Sequence, residues 1–74
     1  VKYVGSNFSG YNLSEANLSN ADLSGTDLSN TDLSGVNLSG VNLTGVNLSG
    51  AILNNVYGKV ASSLGATLPT GYFF

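Results

Sequence analysis

Asp22, Asp27 and Asp32, three carboxylates spaced five residues apart, are the residues best equipped for chemistry in this chain. Gathered in space, they would offer oxygen ligands to a divalent cation or an acid–base pair across one bond. A run of hydroxyls at the same spacing, from Ser9 to Ser49 with Thr44 within it, would form an ordered lattice for ice or a carbohydrate surface. A serine nucleophile needs an adjacent base, and the one candidate, Lys59, lies outside the run. The rest of the inventory excludes more than it offers. With no His and no Cys, there is no imidazole or thiolate metal centre, no disulfide and no Ser/His/Asp or Cys/His hydrolase. Two Lys, no Arg and a net charge of −2 leave no cationic cluster to displace the counterions of a nucleic acid. No catalytic, cofactor-binding or metal-binding residue is therefore assigned, and no cofactor is expected.

The 74 residues hold one small domain at most. Charged residues make up 8%, against roughly 25% in ordinary soluble domains. Although 42% of residues are hydrophobic, no apolar run approaches the ~18 residues of a membrane span. No basic segment followed by an apolar one marks a signal peptide. The first residue, Val1, fits a processed chain or an excised fragment. Low charge with abundant Gly and Ser would suit a disordered linker, but the periodicity argues against one.

Leucine recurs every five residues at Leu13, Leu18, Leu23, Leu28, Leu33, Leu38, Leu43, Leu48 and Leu53, with Phe8 extending the register and Tyr3 ahead of it. Two residues before each stands a small or β-branched residue, such as Ala21, Thr26 or Val36, with Tyr11 the bulky exception. From Asn7 to Asn47 an Asn or Asp lies between the two, with Ile52 replacing it in the last unit; Ser or Thr follows the central residue from Ser9 to Ser49, and Gly or Asn closes the unit except at Glu15. Steps of five advance about 140° on an α-helix, which scatters the leucines over every face. On a flat strand, an odd step sends successive leucines to opposite faces. The pattern works only if the chain turns a corner in every unit. Val36 and Leu38 then both point inward, Asn37 points outward, and Ser39-Gly40 makes the corner. Gly and Asn suit the positive φ that a type II turn requires at its third position. Glu15 does not, so a different turn is expected there.

Units such as Ala21-Asp22-Leu23-Ser24-Gly25 and Ala16-Asn17-Leu18-Ser19-Asn20 resemble the A(D/N)LXX units of the pentapeptide-repeat family, firmly over residues 6–55. The resemblance implies an all-β fold: a right-handed quadrilateral β-helix with four units to a coil. This chain would form about two and a half to three coils of repeat stacked at ~4.8 Å, followed by a C-terminal non-repeat cap. It places Phe8 and the nine leucines in the central inward column. Residues 1–55 are read as the β-helix and 56–74 as a cap or connecting segment. The Thr67–Tyr72 stretch is similar to segments that interrupt or follow repeats in bacterial members of the family.

After Asn55 the five-residue rhythm is lost from the sequence. Residues 59–64 suggest a short helix ended at Gly65, and Pro69 with Gly71 suggests a turn. An open end of a β-helix exposes leucines and unpaired backbone. Tyr57, Leu64, Leu68, Tyr72 and Phe73 are expected to cover it, unless Phe73 and Phe74 begin a further apolar stretch.

On a square coil, residues five apart lie on successive sides. Asp22, Asp27 and Asp32 would then point out in three directions, unable to converge on a cation or a bond. Residues twenty apart stack, so no column of carboxylates forms along the rod. This weighs against DNA mimicry, by which some family members bind type II topoisomerases. Stacked Asn residues can bond up and down, which suits self-assembly. The expected function is a non-catalytic structural or protein–protein interaction module, a unit of a larger protein or of a self-assembling fibre or shell. Its expected partner is a protein, including further copies stacked end to end or side by side, with no nucleic acid and no membrane span; the alternative is a DNA-mimicking gyrase binder. The inward and outward assignments are directly testable. Leu38→Lys places a charge in the central column and is expected to unfold the chain, whereas Asn37→Lys leaves it folded; equal loss of the melting transition in both variants would contradict the assignment.

Overall fold

The computed structural model describes residues 5–69. Its chain turns a corner after every bridge residue and stacks in parallel on itself. Nine parallel β-bridges join residues twenty apart, from Asn7 with Asp27 to Asn47 with Thr67. Each side of the square thus contributes one bridge residue, and among the described residues no longer strand forms. Asp27 shows the ladder: its N–H donates to the Ser6 carbonyl at 2.9 Å, and its own carbonyl accepts from the Phe8 N–H at 2.8 Å. Both polar groups of the bridge residue face the preceding coil. The flanking residues supply the groups that face the next one.

Every corner from Gly5 to Asn55 has a φ of 58–77° at its last residue. The N–H that follows donates back across the turn, as Val41 does to the Leu38 carbonyl at 3.1 Å. This is the type II pattern. Glu15 conforms, with a φ of 61°, which corrects the expectation of a different turn. Its N–H donates to the Ser34 carbonyl at 2.6 Å, as the corner residues Gly10 and Asn20 donate to Ser29 and Ser39. Stacking on a neighbouring coil therefore overrides the local preference of a single residue.

The inward positions form the core. Leu23, Leu28, Leu33, Leu38, Leu43, Leu48 and Leu53 are buried, as are Ala21, Val36, Val41, Val46 and Ala51. The leucine column leaves no space for a water molecule. Phe8, Leu13 and Leu18 belong to the first coil and are half-buried against this core, since a coil lies on only one side of them. Burying each leucine contributes about 2 kcal/mol. Thr26 and Thr31 occupy inward slots and are fully buried. The Thr31 hydroxyl is satisfied by donating to the Phe8 carbonyl at 3.1 Å. Tyr11, too large for the same slot, is 55% exposed and sets its ring edge-on to Phe8 at 5.6 Å.

The tail departs from expectation. No helix forms over 59–64. The stacking continues through it, with bridges from Asn37 to Tyr57, Asn42 to Ser62 and Asn47 to Thr67. The chain extends 21 × 20 × 19 Å, nearly equal in all three directions. One corner fails. Val60 occupies a corner slot but is β-branched and unsuited to positive φ; Gly58 takes it instead, at 92°. The Ala61 N–H then donates to the Val41 carbonyl at 2.8 Å rather than across the turn. Gly58 lies so close to the preceding coil that a Cβ would stand 2.6 Å from the Ser39 nitrogen. Of the expected covering residues, Tyr57 and Leu64 point outward, at 58% and 78% exposed, because their slots are a bridge and a corner. Leu68 packs on the core, together with Val56 and Val60. Tyr72 and Phe73 lie outside the described residues.

The strained corner makes a prediction. Glu15→Gly relieves a left-handed non-glycine residue and is expected to stabilise the chain by about 1 kcal/mol, read as a higher denaturation midpoint; an unchanged or lower midpoint would show that Glu15 carries no such strain.

Candidate functional site

The polar side chains that could do chemistry are held in the corners. In nine successive units the N–H of the Ser or Thr donates to Oδ1 of the Asn or Asp two residues earlier, at 3.0–3.1 Å. This is the Asx-turn arrangement, in which a side chain imitates a backbone turn. In six of these units the hydroxyl also donates to the same oxygen at 2.6–2.8 Å. The amide and carboxylate oxygens thus bond within their own unit, where the sequence suggested bonding up and down the stack. Between coils, the Thr44 and Ser62 hydroxyls share a hydrogen bond at 3.0 Å, in addition to the bond that the buried Thr31 hydroxyl donates to the Phe8 carbonyl.

The three aspartates lie on three different sides. Asp22 bridges to Asn42, Asp27 to Asn7 and Asn47, and Asp32 to Asn12 and Ile52. Among the described residues no cluster of acidic side chains could hold a metal ion. The Ser29 hydroxyl and then its N–H hold the Asp27 carboxyl below the usual carboxylate range. Ser34 does the same for Asp32. These interactions stabilise the charged form as acceptors and do not tune an acid for proton transfer. Lys59 is exposed beside an open recess of about 520 Å³ at the failed corner, lined by Gly58–Ser63.

What remains exposed and distinctive is apolar. From Asn7 to Asn47 the outward bridge positions are all Asn or Asp. In the last coil they become Ile52, Tyr57, Ser62 and Thr67. Ile52 is 46% exposed and lies on the side adjacent to Tyr57. The signal for these positions was present in the sequence: counting by five from Asn47 reaches each of them. The failed match to the A(D/N)LXX pattern hid it.

The sequence profile described as Pentapeptide repeats matches residues 2–30 and 22–57, with eight copies. The chain belongs to the pentapeptide-repeat family. Two solved pentapeptide-repeat proteins share its fold. Rfr23 from the cyanobacterium Cyanothece 51142 is 32% identical, with a TM-score of 0.85 over 90% of this chain and 46% of its own. HetL from Nostoc sp. strain PCC 7120, described as involved in heterocyst differentiation regulation, is 29% identical, with a TM-score of 0.79 over 99% of this chain and 34% of its own. The pentapeptide-repeat chain thus spans about half and about a third of those proteins, and its coil is the right-handed quadrilateral β-helix. No curated protein sequence matches it. Pentapeptide-repeat proteins are generally non-enzymatic modules, often engaged in protein interactions. Among the described residues no helix is long and apolar enough to cross a membrane.

The lowered aspartates set a pH dependence. Because the folded values lie below the ordinary 3.8, their stabilisation is complete above that pH and disappears as pH falls through the folded values. Melting temperature is therefore expected to drop on acidification below pH 3.8. Asp27→Asn with Asp32→Asn keeps both Oδ1 acceptors and is expected to flatten that drop; an unaltered acid profile would contradict the assignment.

Proposed function

We propose that this chain is a non-catalytic structural and protein-interaction module, a unit of a larger protein or assembly. The observation that carries the reading is the last coil, where outward Asn and Asp give way to exposed Ile52 and Tyr57 on adjacent sides. Surface charge is scarce, so apolar contact is the principal means by which this surface gains affinity. Catalysis finds no support: six of the nine repeat hydroxyls are engaged as corner donors, and the carboxylates diverge.

The alternative, mimicry of DNA toward gyrase, needs acidic groups repeating along the stack. Among the described residues no outward column holds more than one aspartate, as in Asn7, Asp27, Asn47 and Thr67, and the column of Asn17, Asn37 and Tyr57 holds none.

The test is a photo-crosslinking amino acid placed at position 57 and, separately, at position 42 in the native host. Position 57 is expected to yield a discrete protein adduct and position 42 none; equal labelling, or none at 57, would overturn the reading. Titration into a gyrase supercoiling assay is expected to leave activity unchanged, and inhibition would favour the alternative.

A further inference from the structure

We infer that residues 56–69 form a strap that opens as one unit about the corner at Asn54–Val56, while residues 5–55 stay folded. The inference rests on the interaction-module reading and gives that surface its regulation, because Ile52 lies on the fixed side of the hinge and Tyr57 on the moving side. Backbone hydrogen bonds tie the strap to the coil before it. Tyr57, Ala61 and Thr67 donate to the carbonyls of Val36, Val41 and Val46 at 2.8–3.1 Å, and Leu38, Leu43 and Leu48 donate to the carbonyls of Tyr57, Ser62 and Thr67 at 2.7–2.8 Å.

The strap lacks the other features that secure a coil. Gly58 and Ser63 stand where the coil before has Leu38 and Leu43, and Ala61 and Ala66 stand where it has Val41 and Val46. Separating the strap therefore exposes less apolar side chain than separating that coil would. The side-chain caps are missing as well. In the units from Asn7 to Ser49 an Asn or Asp oxygen accepts the N–H two residues on at 3.0–3.1 Å. Tyr57 has no amide or carboxylate to serve Lys59, the Ser62 hydroxyl oxygen accepts from Leu64 at 3.3 Å, and Thr67 precedes Pro69, which has no N–H to cap. The corner at Val60 has no bond across its turn, since the Ala61 N–H goes to Val41. At the hinge, the Val56 N–H reaches the Leu53 carbonyl at 3.4 Å, the longest of the turn bonds among the described residues. Local opening follows where sparse apolar contact and weak local bonds coincide. Opening carries Tyr57 away from Ile52 and divides the apolar surface. A partner that grips both residues binds only the closed strap and holds it shut.

Native-state hydrogen exchange of the whole chain, followed by NMR at rising urea below the unfolding transition, tests this. The amides of Leu38, Leu43 and Leu48, which donate to the strap, are expected to exchange about tenfold or more faster than those of Asn42 and Asn47, which donate to Ala21 and Thr26, and with a shallower dependence on urea. Tyr57 should follow the first group; Ile52, which donates to Thr31, should follow the second. Ser63→Leu restores one leucine on one side of the strap. Because the sides open together, it is expected to slow Leu38, Leu43 and Leu48 by one common factor of about ten. Leu28→Val, away from the strap, should speed Asn42 and Asn47 several-fold and leave Leu38, Leu43 and Leu48 unchanged. Equal exchange of the two groups, a slowing confined to Leu43 in Ser63→Leu, or equal acceleration of both groups in Leu28→Val would overturn the inference. Should Ser63→Leu not fold, the Leu28→Val comparison decides. The chain is alone in this experiment, so its failure leaves the broader reading to the crosslinking result at position 57.

Discussion

A corner every five residues is the constraint on which the molecule depends. A bridge residue pairs with the coils before and after it only if the chain bends and returns to the same place twenty residues later. The bend needs a residue at positive φ, and it needs the polar backbone around it satisfied. The Asn or Asp oxygen meets part of that second need by accepting from the Ser N–H two residues on, while the turn bond across the corner meets another part. Remove the corner and the inward pair of each unit no longer shares a core.

That constraint explains why a surface rich in hydroxyls, amides and carboxylates offers no reaction centre. The groups that look reactive in sequence are the ones that hold the corners. Ser29 and Ser34 keep Asp27 and Asp32 charged as acceptors. The square cross-section also turns each successive carboxylate to a new side. What the surface leaves exposed is a flat-sided shape with Ile52 and Tyr57 on adjacent sides.

The residue at each corner is under less local control than its identity suggests. Glu15 adopts the left-handed conformation because its N–H meets the Ser34 carbonyl of the next coil. Val60 does not follow, and there the corner opens and Gly58 takes the positive φ. The difference is physical: a straight side chain enters that region at modest cost, while a β-branched one clashes with its own backbone.

The sequence by itself determined the period, the inward and outward faces, the positive φ at the Gly and Asn corners and the divergence of the aspartates. All of these follow from residue type at a spacing that neither helix nor strand can satisfy. Only the tertiary structure decided the path of residues 56–69. Their composition, read alone, suggested a helix at 59–64 and a covering role for Tyr57 and Leu64. Carbonyls and N–H groups on the preceding coil pulled them into register instead, because an unpaired sheet edge supplies a template that weak local preference cannot resist. The same template places Tyr57 outward and Leu68 inward, a distinction set by position in the coil rather than by hydrophobicity.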